Sequence, residues 1–313
     1  MKVTELKARE LTRDLLFPEG PVALSDGSVL VVEIKGGRLI QVSTNGAKRV
    51  VAKLGGGPNG AAVGPDGKCY VCNNGGFNWI TEQDGYMRPH GRADDYAGGS
   101  IQRVDLSSGA VEVLYTHCNG ERLKGPNDIV FDGKGGLWFT DHGKTYGRLM
   151  DRGALFYATI DGSFIQEAAS AFLTPNGVAL SPDGKTLYVS ETETGRLWSF
   201  PVSAPGTLAK EPWPSPNGGQ FIGGPRGYQR FDSMAVEAGG NICVATLVDA
   251  GISVFSPHGE LIEFHKAPER YCTNICFGGP DMRTAFITLS GHGRLVAVDW
   301  PRPGLPLVHQ SGQ

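Results

Sequence analysis

Apolar runs of about five residues recur along the chain in pairs, each pair separated by a tight turn. Six segments share this pattern. They read PEGPVALSDGSVLVVE from Pro18, PNGAAVGPDGKCYVCN from Pro58, PNDIVFDGKGGLWFTD from Pro126, PNGVALSPDGKTLYVSE from Pro175, FDSMAVEAGGNICVAT from Phe231 and TNICFGGPDMRTAFIT from Thr273. The runs are too short for ordinary helices and rich in the Val, Ile, Leu, Tyr and Trp that suit a pleated surface. The turns between them (SDG, GPDG, DGKGG, SPDG, EAGG and GGPD) carry the Asp, Gly and Pro that tight hairpins require. Further strand candidates follow each hairpin: GRLIQVST, SIQRVDLSSGAVEVLY, GALFYATIDGSFIQEA, GRLWSFPV, GISVFSPHGELIEFH and GRLVAVDW. About four strands per repeat, repeated six times, predict an all-β chain folded as a six-bladed β-propeller, with residues 1–313 forming one domain.

One column of the aligned repeats is polar throughout. It holds Glu19, Asn59, Asn127, Asn176, Asp232 and Asn274, spaced by 40, 68, 49, 56 and 42 residues. The first strand of a propeller blade lines the central channel, so this column predicts a ring of side-chain oxygens around that channel. Asn and Asp also start strands by bonding nearby backbone, but that explains Glu19 poorly and a complete ring more poorly still. Carboxylate and carboxamide oxygens suit a hard cation, with Ca²⁺ foremost and Mg²⁺, Mn²⁺ or Zn²⁺ as further possibilities. A divalent ion would also let two neighbouring acids stay ionised together.

The two long intervals mark insertions, at about Phe77 to Gly99 and Ser203 to Arg230, both expected as loops over one face of the disc. A closing strand is expected from Leu6 to Leu15 or from Leu305 to His309.

The motifs Pro18-Glu19-Gly20-Pro21, Gly125-Pro126-Asn127-Asp128, Thr174-Pro175-Asn176-Gly177 and Phe231-Asp232-Ser233-Met234 resemble, in order and at blade spacing, those of the gluconolactonase/regucalcin (senescence marker protein) family. That group is related to diisopropylfluorophosphatase and bacterial calcium-dependent lactonases. The resemblance runs from about Leu15 to Trp300. It implies a six-bladed propeller holding one catalytic divalent cation on Glu19, Asn127, Asn176 and Asp232, with a small lactone as substrate. Vertebrate members that open sugar lactones carry an arginine two residues before the third-blade asparagine. Here that position is Gly125, a departure that bears on the substrate rather than on the metal.

The expected activity is therefore opening of a sugar-acid or related lactone, with the cation as Lewis acid and Asp232 as general base or nucleophile. A phosphotriesterase-like hydrolase and a non-catalytic calcium-binding propeller are the alternatives, and a strictosidine-synthase-like propeller lacking this ligand set is a further one. Asn59, His142, Arg148, Asn274 and His292 are the candidate substrate contacts, with Tyr146 and His90 behind them. Glu33, Glu191 and Glu193, at the ends of second strands, are expected to be solvated.

Composition adds exclusions. The 46 glycines among 313 residues fit many tight turns, and a net charge of −3 offers no electrostatic footprint for nucleic acid or an anionic membrane. Charges punctuate the first 16 residues, and no apolar stretch approaches the length of a membrane span, so a cytoplasmic location is expected. Cys69 and Cys72 form a C-x2-C pair, but lie three apart on a predicted strand with no second pair at zinc-ribbon spacing. They are expected as buried free thiols.

Overall fold

The computed structural model describes residues 1–225 and 227–309. Every regular element among them is a strand, and six main sheets stand around a central axis. The inner strands are Pro18–Ala23, Pro58–Val63, Pro126–Phe131, Pro175–Leu180, Phe231–Val236 and Cys272–Gly278. Each packs against the next, and the sixth returns to the first. Among the described residues no helix is long and apolar enough to cross a membrane.

Because every blade has two apolar faces, the core is divided into six clusters, one in each gap between neighbouring blades. Trp138, Phe139, Leu39 and Phe255 are among the side chains fully removed from water there. Each such side chain contributes about 1.5–3 kcal/mol of hydrophobic stabilisation. Cys69 and Cys72 are buried free thiols, as are the other four cysteines.

The ring closes by non-local pairing. Arg9–Thr12 adds antiparallel to Arg294–Asp299 as the outer strand of blade six. Lys2–Glu5 adds parallel to Leu261–Lys266 at the edge of blade five. Leu305 to His309 forms no closing strand. This segment is tied down by the Leu305 N–H to Val236 carbonyl bond of 2.8 Å, and it crosses the lower end of the channel. Glu237, fully buried beside it, accepts from Trp300 Nε1 at 2.8 Å and from Arg302 Nε at 2.6 Å. Removing that carboxylate strands both donors. Glu237→Ala is expected to cost about 3 kcal/mol, the lower end for a buried pair because Arg302 is partly solvated, read as a lowered midpoint in thermal unfolding.

Both insertions, expected as loops, contain strands. Phe77–Thr81 and Met87–Arg92 form an antiparallel hairpin. It arches from blade two so that Met87 packs on Phe17 and Ile34, and the Met87 N–H reaches the Gly291 carbonyl at 2.8 Å. The second insertion is not merely a loop. Its Gln220–Gly223 stretch pairs with Arg196–Ala204 and supplies the outer strand of blade four. The short apolar patch Phe221-Ile222 is the only strand signal inside a Pro/Gly-rich segment, which hides it from pattern reading.

Candidate active site

Asn59, Asn127, Asn176 and Asp232 fall where their inner strands break the ladder, and Glu19 and Asn274 flank the break in theirs. Pairing shifts register just after Pro18–Glu19, Pro58, Pro126, Pro175, Phe231 and Cys272. A bulge of this kind re-aims a side chain out of the pleat, and here it occurs at the polar column. The inner strands also approach closely: a Cβ on Gly20 (φ +51°) would lie 2.4 Å from the Asn59 carbonyl, and one on Gly60 would lie 2.5 Å from the Asn127 carbonyl. Glycine after the ring residue in blades one, two and four is thus a steric requirement of close approach between inner strands.

Hydroxyls on the second strands stitch the ring together. Thr140 Oγ1 donates to the Asn176 carbonyl at 2.5 Å, Ser190 Oγ to the Asp232 carbonyl at 2.7 Å and Ser290 Oγ to the Pro18 carbonyl at 2.5 Å. Strand-end acids anchor the approach to each inner strand. Glu33 accepts from the Leu16 N–H at 3.0 Å, Asp141 from Gly125 at 2.6 Å and Glu191 from Leu173 at 2.7 Å. Glu33 and Glu191 are therefore buried structural anchors, not solvated ends, because backbone donors compensate their desolvation.

The ring divides the channel into two chambers. The upper one is a cavity of about 260 Å³ lined by Glu19, Asn59, Asn127, Asn176, Asp232 and His142, among others. The insertion hairpin contributes Phe77, Pro89 and Gly91 to its wall. The lower chamber, about 160 Å³, is walled mainly by apolar residues such as Val130, Met234 and Phe277 and is crossed by Leu305 to Val308. Chemistry that needs oxygen donors and access belongs to the upper one.

Within the ring, Glu19, Asn127 and Asn176 are buried, while Asp232 is partly open to the cavity. Glu19 Oε2 accepts from Gly20 N–H at 2.9 Å and from Asn274 Nδ2 at 2.8 Å. Asn176 donates to Thr192 Oγ1 at 3.0 Å, leaving its own oxygen with only a 3.3 Å contact from Ser233 Oγ. Asn127 Oδ1 is buried with no hydrogen-bond partner. Burial pushes the Asp232 carboxyl well above the usual carboxylate range; the Glu19 charge adds to this, and the Asn176 amide opposes it. Burial likewise raises Glu19, against its Asn274 and Gly20 hydrogen bonds. Asp128, just below the ring, is pushed up to about 7 by burial.

This arrangement fits a cation. An orphaned buried acceptor and two ring carboxylates whose ionisation desolvation opposes together call for positive charge. No group of three or more His, Cys, Asp or Glu side chains placed to hold a metal occurs among the described residues. The donor set is two carboxylates and two carboxamides, all oxygen, which suits Ca²⁺ or Mg²⁺.

The candidate substrate contacts divide. Asn59 and His142 line the cavity. Burial, with Lys144 nearby, pushes the His142 imidazole down to about 4, so it is neutral near pH 7. Asn274 is committed elsewhere: its amide donates to Glu19, and its oxygen accepts from the Ile275 N–H at 2.8 Å. Arg148 is exposed between the short strands Thr145–Tyr146 and Leu149–Met150, outside the cavity wall. His292 also lies outside it. Its Nδ1 sits 2.7 Å from Glu269 and its ring 5.1 Å from Tyr86, so it clasps the insertion hairpin to blade six.

Two residues at or beside the cavity escaped sequence reasoning. Arg230 lines the cavity and pairs with Glu193. It stands two residues before Asp232, in the register that Phe17 occupies in blade one, so reading a second column of the repeat would have exposed it. Lys144 is buried, with Nζ bonded to Asn74 Oδ1 at 3.1 Å and to the Gly76 carbonyl at 2.9 Å, and 3.8 Å above the Phe77 ring. Burial brings its pKa down to about 7. No local sequence signal marks a lysine that pins a loop inserted from another blade.

Comparison with known proteins agrees with this architecture. Residues 17–291 match the "SMP-30/Gluconolactonase/LRE-like region" family. The chain is 31% identical to the diisopropyl-fluorophosphatase of Loligo vulgaris over 62% of its own length and 63% of that protein, just under two thirds of the relative. It is 25% identical to the gluconolactonase of Zymomonas mobilis, over 90% of this chain and 78% of that one. Among solved structures, a regucalcin from Agrobacterium tumefaciens, described as a calcium-binding protein, superposes with a TM-score of 0.74 at 19% identity. That match covers 98% of this chain and 100% of the other. A gluconolactonase from Xanthomonas campestris gives 0.72 at 23% identity, over 94% and 91%. At these identities the structural matches speak for the propeller fold.

Proposed function

The chain belongs to the SMP-30/gluconolactonase/LRE-like family, and from that premise we propose that it is a metal-dependent hydrolase that opens a small lactone, holding one divalent cation on Glu19, Asn127, Asn176 and Asp232. The observation that carries the reading is the unsatisfied Asn127 Oδ1 together with two ring carboxylates whose ionisation desolvation opposes. When bound, a divalent cation supplies Lewis-acid polarisation of the ester carbonyl and stabilises the developing oxyanion.

The protein's own residues do the rest. Of the two ring carboxylates that line the cavity, Asp232 is the more exposed. It either accepts the proton of the attacking water, or adds to the carbonyl carbon as the ring C–O bond breaks and the ring oxygen leaves as the hydroxyl end of the opened chain, giving an acyl–Asp232 anhydride that water then cleaves. Both routes add one water to the lactone and release a hydroxy acid. Single turnover in ¹⁸O water identifies the second route when water cleaves the anhydride at the Asp232 carbonyl carbon, since label then appears in the Asp232 carboxylate. Glu19, fixed by two donors, is a ligand and not a base. Phe17, Phe77 and Tyr271 supply apolar walls that exclude bulk water.

The test is hydrolysis by metal-stripped protein with Ca²⁺, Mg²⁺, Mn²⁺ or Zn²⁺ restored, against aldono-lactones, aromatic lactones and a phosphotriester. The phosphotriester is included because the same site would polarise P=O, and one relative is named a fluorophosphatase. Metal-restored turnover of a lactone is the expected result; cation binding with no turnover leaves a calcium-binding propeller.

The raised pKa values of Glu19 and Asp232 also set a pH dependence. Without the cation both acids retain protons to higher pH than usual, so binding must expel protons. Cation affinity is expected to fall as pH falls. Calorimetry in buffers of different ionisation enthalpy should show net proton release. Affinity independent of pH between 5 and 8 would contradict the assigned ligands.

A further inference from the structure

We infer that Arg230 and Glu193 form a clamp in the cavity wall that reads hydroxyl groups on the substrate and so determines specificity; the inference rests on the lactone reading. Glu193 lies in the turn that leaves blade four's second strand, and Arg230 enters blade five's inner strand. The pair thus spans the gap between the blades that carry Asn176 and Asp232. Both side chains line the same upper cavity as the ring.

The guanidinium is half used. Its Nη2 donates to Glu193, while its Nε is buried with no partner. A buried N–H left unpaired is costly, and such a group finds its acceptor in a ligand or a water. Among the described residues, Arg230 is also the one cationic side chain that lines this cavity.

Both halves are held before any ligand arrives. The Arg230 carbonyl accepts from the Leu247 N–H at 2.9 Å. Its neighbour Gln229 is buried and accepts from the Val248 N–H at 3.2 Å. The Glu193 N–H donates to Thr174 Oγ1 at 2.9 Å, and Thr174 itself is fixed in the left-handed region at φ 58°. A clamp preorganised in this way loses little entropy on binding.

Charge selects the ligand chemistry. Glu193 already neutralises Arg230, so an anionic substituent would face a carboxylate. A neutral hydroxyl satisfies both members at once, accepting from Arg230 Nε and donating to a Glu193 oxygen. The aromatic rings of Phe17, Phe77 and Tyr271 elsewhere on the wall suit the C–H face of such a ring.

Lactams keep the ring and carbonyl but resist hydrolysis, so they read the clamp separately from turnover. Calorimetry on the full chain with Ca²⁺ would compare D-glucono-1,5-lactam with unsubstituted δ-valerolactam. The wild type is expected to prefer the hydroxylated ring, and Arg230→Met to lose about 10–100-fold of that preference. Arg230→Lys keeps the charge but not the Nε–H, and should not restore it. Glu193→Gln, isosteric and half-exposed, should give an intermediate loss and serves alone if Arg230→Met does not fold. A wild type that binds both lactams equally, or neither, overturns the clamp. So does a preference that survives in a folded Arg230→Met variant, or in Glu193→Gln where that alone is available. Failure of the lactonase reading shows separately, as absence of turnover on the corresponding lactones.

Discussion

Replacing Asp232 by asparagine should lower kcat/KM for lactone opening by about 10³-fold or more while leaving the blades folded, because the change removes a proton acceptor and an anionic ligand in one step. Asparagine keeps the side-chain shape, and the Ser190 hydroxyl bond to the backbone carbonyl at 232 remains available. The ring then keeps Glu19 as its one carboxylate, so the variant should bind Ca²⁺ more weakly and less steeply with pH. Steady-state kinetics with saturating Ca²⁺, beside a thermal unfolding curve, make the check. Activity within tenfold of wild type in a folded Asp232→Asn protein would remove Asp232 from the chemistry and leave the ring as a ligand set or a structural feature.

Deleting residues 1–13 should lower the unfolding midpoint by about 5–10 °C, from a loss of order 5 kcal/mol. Two outer strands leave together: Arg9–Thr12 from blade six and Lys2–Glu5 from blade five. The Glu10 bond to Arg294, 2.7 Å long, goes with them, and Leu11 is lost from the cluster between blades six and one. Two freshly exposed edges would then invite association between chains, so scattering or sedimentation should reveal aggregation at the same time. A truncated protein that melts within 3 °C of the full chain would show that the ring holds by its inter-blade packing alone. Leu15, buried in that same cluster, is retained in the truncation so that the closing strand is tested and not the core.

The sixfold repeat is legible in the chain because each inner hairpin is a local object. Its turn, its alternation and its apolar run all lie within about 16 residues, and local pattern suffices to identify it. The polar column is legible for the same reason: the same register in six similar units must converge on one axis. Glu19, Asn59, Asn127 and Asn176 are accordingly found where the repeat puts them, buried around the channel, with Asp232 at its open side.

What the repeat cannot carry is the identity of neighbours supplied from far along the chain. Arg148 and His292 have plausible chemistry and turn positions like those of His142, yet only His142 reaches the cavity, because loop length and the arch of the Phe77–Arg92 hairpin decide which turns face inward. Asn274 belongs to the ring by register but spends its amide on Glu19, 255 residues away. Arg230 and Lys144 matter through partners on other blades. Glu33 and Glu191 look like solvated strand ends until their backbone donors are known. Sequence by itself thus determined the unit, its number and the oxygen register, all of which follow from short-range periodicity. Closure by the N-terminal strands, the second column of site residues and the charge balance of the cavity were decided only by tertiary structure, because each depends on a contact between segments that no local pattern relates.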